Sequence, residues 1–149
     1  MGYKLGVDFR TGLVHGCGTG AEKARSQMAG ERYEWTIEWY ETELGEVPAR
    51  IFLGDLEGRP REEPLALLVM IGRWGNQFAE PRSASLGRGL FELRGHQVRM
   101  IYMFRPGRRI LILDGMVKKR DKIPNAFLKR VRGMQAAVLT RDRQRKRGP

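Results

Sequence analysis

The sequence predicts one α+β domain, and three observations carry that expectation. Three strand-like segments between residues 90 and 118 are separated by short glycine-containing turns. Two helix-like segments precede them. One longer segment with apolar residues at steps of three and four follows. A chain of 149 residues holds one ordinary domain, and 41% hydrophobic residues suffice for a core.

The elements follow in order. Residues 1–30 contain seven glycines and no sustained period, so they are expected to be disordered or an extension outside the fold. Met28, just ahead of the first strong strand signal, is an alternative start. From Tyr33 to Tyr40, Tyr33, Trp35, Ile37 and Trp39 alternate with Glu34, Thr36 and Glu38, which describes a half-buried strand. Gly45 breaks it, and Pro48 suits the first turn of a helix carrying Ile51, Phe52 and Leu56. A second helix is expected from Pro64 to Trp74, ended by Gly75. The polar stretch Asn76–Gly89 reads as a loop.

Leu90–Arg94, Val98–Arg105 and Arg109–Lys118 then read as an antiparallel meander. The closing helix begins near Pro124 with a stripe of Ile123, Phe127, Val131, Met134 and Val138. The expected domain therefore spans residues 31–140, with a basic tail of frayed helix or coil at 141–149. Helices are expected on one face of the sheet, leaving the other face or its rim free for a ligand.

Charge narrows the function. The net charge is +11, but residues 1–81 carry −4 and residues 82–149 carry +15. Such asymmetry draws in a polyanion; a solvated basic face with a disordered tail is the competing explanation. The lone Cys17 rules out an intrachain disulfide or a cysteine-based metal site, and fits a reducing compartment. The longest apolar run, Leu65 to Ile71, is far short of a membrane span of roughly 20 residues. The N-terminus has no continuous apolar segment of the signal-peptide kind. A cytoplasmic protein is expected, with no membrane partner.

Four pieces, over roughly residues 33–135, carry a resemblance. They are Gly89-Leu-Phe-Glu-Leu-Arg94, Val98-Arg-Met-Ile-Tyr-Met-Phe104, Ile110-Leu-Ile-Leu-Asp-Gly-Met-Val-Lys-Lys119 and Lys122-Ile-Pro124. In order and spacing they resemble the phage-derived, HigB-like branch of the RelE toxin superfamily. The resemblance implies a RelE-like fold, a small, twisted, mainly antiparallel sheet packed against two N-terminal helices and a C-terminal helix. It implies an endoribonuclease acting on mRNA at the ribosome and a cognate antitoxin, often of helix-turn-helix type. The chain departs from that branch where it commonly reads Leu-Leu-His-Gly-Phe: here Asp114 takes the histidine position and Met116 the aromatic one. His96, in a turn, is the other histidine inside the fold.

RNA cleavage by its own 2′-hydroxyl needs a base, positive charge for the phosphorane oxygens and an acid for the leaving 5′-oxygen. The sequence shows no carboxylate cluster, so a metal-independent, cofactor-free route is expected. Arg94 and Arg99 flank the first tight turn, and a guanidinium fork suits phosphate. Arg99 is the leading transition-state stabiliser and Arg94 its partner; an exposed arginine covering apolar surface is the bland alternative. Lys118 and Lys119 are the candidate proton carriers, and Arg120 and Lys122 candidate phosphate contacts, against a plain solvated loop. Tyr102 is a candidate for stacking on a base, although it shares a face with Val98, Met100 and Phe104, which favours core packing for at least one of the two aromatics. Arg105 alternates with them. Arg141 and Arg143 are expected to touch RNA without sequence preference. Asp114 could orient a cation, accept a proton or shape a turn. A non-catalytic RNA- or protein-binding module on the same fold is the competing function. A DNA-binding regulator is a weaker third, because no recognition-helix pattern stands out.

Overall fold

In the computed structural model, residues 6–8, 13–15, 34–57 and 59–148 are described. Near the N-terminus, β1 (Gly6–Asp8) and β2 (Leu13–His15) pair antiparallel. The rest of residues 1–33, with Cys17, Met28 and Tyr33, lies outside the described residues.

The main body is a five-stranded sheet ordered β3-β7-β6-β5-β4. Its strands are β3 (Thr36–Trp39), β4 (Ser83–Gly87), β5 (Leu90–Arg94), β6 (Val98–Arg105) and β7 (Arg109–Val117). All neighbours run antiparallel except β3 and β7, which are parallel. Helices α1 (Pro48–Asp55) and α2 (Arg59–Trp74) lie between β3 and β4, and α3 (Asn125–Arg147) closes the chain. The fold is α+β and mostly antiparallel.

Two elements differ from expectation. The stretch Asn76–Gly89 is not all loop, because Ser83–Gly87 forms the edge strand β4. Its turn to β5 places Arg88 and Gly89 at φ 54° and 80°. Two consecutive positive φ values match the twist of a tight hairpin, and Gly89 meets that demand without strain. Helix α2 starts at Arg59 and contains Pro64 rather than beginning there. Pro64 is the sixth residue of α2, past the four N–H groups that lack intrahelical partners, so α2 forgoes one i−4 bond in its second turn.

The expectation of helices on one face is also corrected. Alternate residues of β6 feed two cores. Val98, Met100 and Tyr102, with Ile37, Leu93, Ile110 and Ile112, pack with Leu53, Leu67, Leu68 and Ile71 of α1 and α2. Ile101 and Met103, with Leu90, Leu111 and Leu113, pack with Val131 and Val138 of α3. A strand buried on both faces needs cover on both. No bare sheet face is left among the described residues.

Helix α3 is fixed by polar ties as well. Gln135 donates to the Arg88 carbonyl at 2.7 Å, and Arg132 to the Leu86 carbonyl at 3.0 Å. The basic segment from Arg141 continues α3 through Arg147 instead of forming a separate coil. Among the described residues no helix is long and apolar enough to cross a membrane.

Candidate functional site

On the α3 face, the register of β5, β6 and β7 gathers charge at one end of the sheet. Arg94 sits directly opposite Arg99, Glu92 opposite Ile101, and Asp114 opposite Ile101 from the other side. Alternation therefore puts Glu92, Arg94, Arg99 and Asp114 on a single face. The three-residue turn Gly95–Gln97 forces the two arginines together.

Glu92 is the hub. Arg94 Nε donates to Glu92 Oε1 at 2.7 Å, and Arg99 Nε lies 3.8 Å from Oε2. The Glu92 side chain is 6% exposed and that of Arg99 9%, against 39% for Arg94. Arg99 also donates from Nη1 to the carbonyls of Gly95 at 2.5 Å and Val98 at 3.0 Å. Arg99 is thus committed to the sheet and its turn. The solvent-facing guanidinium of the pair belongs to Arg94.

Beside them, the buried Asp114 carboxylate pairs with Arg130 of α3 at 2.5 Å. Its other oxygen accepts the Gly115 N–H at 2.8 Å. Burial pushes the Asp114 carboxyl above its ordinary range, with the Gly115 N–H and Arg130 pulling the other way. Of the roles open to Asp114, the structure shows the cation holder. The turn role is corrected: Asp114 lies within β7.

The loop from β7 to α3 brings the lysines to the same end. The Lys118 N–H donates to the Gln97 carbonyl at 2.7 Å, tying that loop to the β5–β6 turn. Lys118 Nζ pairs with Asp121 Oδ1 at 3.0 Å. Lys118 chiefly, and Arg99 to a smaller degree, hold the Asp121 carboxyl below its ordinary value. Lys119, Arg120 and Lys122 are exposed in this loop.

The remaining sequence candidates lie elsewhere. Tyr102 is fully buried, with its hydroxyl 2.6 Å from Ser83 Oγ and its ring against Phe91 and Phe104. Burial pushes its phenol up, with the Ser83 bond opposing. The stacking role for Tyr102 is therefore corrected to a core role. Arg105 sits at the far end of β6, paired with Glu38 and Asp142. With Arg109 and Arg141 it lines a separate 610 Å³ cleft. Arg141 caps the Glu41 carbonyl at 2.7 Å and lies 5.4 Å over the Tyr40 ring. Arg143 is exposed on the last turns of α3, 3.4 Å from the Leu139 carbonyl.

Sequence reasoning missed Glu92, Arg130 and Glu63. Glu92 had a signal, since it alternates between Leu90 and Arg94. Arg130 follows the Phe127 stripe position by three residues, one turn along the helix. Glu63 of α2 accepts the N–H groups of His96 and of Gln97, the latter at 3.1 Å. Nothing local in sequence marks that long-range contact.

A family model described as Phage derived protein Gp49-like (DUF891) matches residues 52–134, more than half of the chain and every residue of the Glu92–Arg94–Arg99–Asp114–Arg130 cluster. No curated protein matches the chain.

Proposed function

Because the chain belongs to the Gp49-like family of phage-derived proteins, we propose that it is the toxin of a type II toxin–antitoxin pair, with a RelE-like fold. It cleaves mRNA on the ribosome, in the cytoplasm, by a metal-independent route, and a helix-turn-helix antitoxin restrains it.

The observation that carries this reading is the clasp of Arg94 and Arg99 on Glu92. A buried carboxylate and a buried partner fix the base of the Arg94 side chain while its fork faces solvent. A guanidinium held in place before the reaction stabilises developing phosphorane charge without reorganising. Arg99 acts by positioning, through Glu92 and the turn carbonyls. Lys118 and its cationic loop stand beside the pair, where a scissile phosphate meets further charge and a proton donor. The exposed cations at the end of α3, Arg143, Arg145, Lys146 and Arg147, supply sequence-independent contact with ribosomal RNA.

One observation favours a second reading, a non-catalytic RNA- or protein-binding module. The buried Arg99 spends its contacts on carbonyls of its own hairpin and on Glu92, as a structural arginine would.

Induced expression in a bacterial host separates the two. The toxin reading expects arrest of growth and translation, relieved by Arg94→Ala. That substitution leaves the buried Glu92 carboxylate to Arg99 alone, so urea unfolding of the variant is read beside the growth assay, and relief counts where the variant is folded. A wild-type protein that is folded, soluble and harmless would overturn the reading.

A further inference from the structure

We propose that His96 is the general base of this site, acting opposite Lys118 as general acid. This assignment rests on the endoribonuclease reading above.

The turn that carries His96 is braced from three elements. Glu63 of α2 receives the N–H groups of His96 and Gln97. Gly95 makes that approach feasible, because a Cβ there would lie 2.6 Å from the Glu63 carboxyl carbon. Arg99 of β6 holds the Gly95 carbonyl, and the Gly95 N–H donates to Val98 at 3.0 Å. From the end of β7, the Lys118 N–H holds the Gln97 carbonyl at 2.7 Å. Tight hairpin turns form without outside support. A three-residue turn clamped by a carboxylate, a guanidinium and a third strand is held well beyond that need.

The bracing presents two exposed side chains, His96 and Gln97. Of these, imidazole exchanges a proton near neutrality. The position is apt. Arg94 lies two residues before His96 and Arg99 three after, and the Lys118 backbone N–H is bonded to the carbonyl of the adjacent Gln97. The charged side chains in contact with the turn are Glu63 from α2 and Arg99 from β6; the charged groups nearest along the chain are Arg94 of β5, tied to Glu92, and Lys118 of the loop after β7, tied to Asp121.

In the step, neutral His96 imidazole takes the proton of the 2′-hydroxyl as its oxygen bonds to phosphorus. Arg94 meets the charge on the non-bridging oxygens. The bond from phosphorus to the 5′-oxygen breaks, and the Lys118 ammonium gives that oxygen its proton. The fragments carry a 2′,3′-cyclic phosphate and a 5′-hydroxyl.

The test is single-turnover cleavage of mRNA on programmed ribosomes by full-length protein across pH. His96→Gln is expected to slow the chemical step about 100-fold with ribosome affinity unchanged. The wild-type rate should fall as the medium is acidified and the base is lost, and His96→Gln should lose that limb. Added imidazole should restore part of the rate to His96→Gly. Wild type that cleaves, with His96→Gln equally fast and equally pH-dependent, overturns the His96 assignment and leaves the endoribonuclease reading standing. Wild type that never cleaves overturns both. Should His96→Gln fail to fold, the wild-type profile decides, and a missing acid limb counts against His96.

Discussion

Removing Glu92 should destabilise the fold more than its surface-facing bond to Arg94 implies, and removing Arg99 as well should restore most of the loss. Glu92→Leu leaves the Arg99 guanidinium, 9% exposed, without a counter-charge. Breaking a buried pair costs about 3–5 kcal/mol. The 3.8 Å separation and the two carbonyl bonds that Arg99 keeps put this case near about 3 kcal/mol. The half-exposed Arg94 arm adds at most about 1 kcal/mol. Glu92→Leu with Arg99→Met deletes both buried charges at similar volume, and should lie within about 1 kcal/mol of wild type. Adding Arg99→Met to Glu92→Leu should therefore recover about 2–3 kcal/mol, the mark of two coupled residues. Urea unfolding reads it directly: with a slope of about 2 kcal/mol per molar, the single variant's midpoint falls by about 1.5 M and the double variant's recovers. The double variant should be folded yet harmless in cells, because Arg94 has lost its anchor. Additive single costs, or a Glu92→Leu cost below about 1 kcal/mol, would refute the reasoning.

Other consequences follow from the same contacts. Tyr102→Phe removes the 2.6 Å contact with Ser83 and should cost about 1 kcal/mol in urea unfolding while leaving growth arrest intact; lost arrest at full stability would give the Tyr102 hydroxyl a role in the site. Gly115→Ala drives a methyl group to 2.2 Å from the Phe52 ring, and should cost about 1–3 kcal/mol by the same method. Asp114 has its carboxyl raised by burial, so the stability it contributes is present below the ordinary value of 3.8 and is lost as pH rises through the folded value. Asp114→Asn should therefore gain on wild type in urea midpoints as pH rises above the ordinary value of 3.8; a variant that loses ground over that rise contradicts the assignment.

The parts of the fold legible in sequence are those that local chemistry dictates. The β5–β6–β7 meander was readable from alternation and glycine turns. The meeting of Arg94 and Arg99 followed, because a short hairpin leaves flanking residues no other register. Strand β4 was hidden, because Ser-Ala-Ser-Leu-Gly lacks the β-branched and aromatic residues that mark strands. Its pairing with β5 and the buried Ser83–Tyr102 contact hold it in the sheet instead. The covered second face had a signal in the unbroken apolar run Ile110–Leu113, which leaves no polar side to face water. Within the site, Glu92 and Arg130 needed the register and the helix docking to acquire partners. Arg99 shows the limit most clearly: residue type and position fit a phosphate ligand, while the surrounding carbonyls and Glu92 decide that its charge is spent internally.

End-mapping of a translated mRNA in a purified translation system tests the central claim most directly. With the wild-type protein the account predicts internal cuts on ribosome-bound message, leaving 5′-hydroxyl ends, and their disappearance with folded Arg94→Ala. Intact message beside folded wild type, or equal cutting by Arg94→Ala, would contradict it.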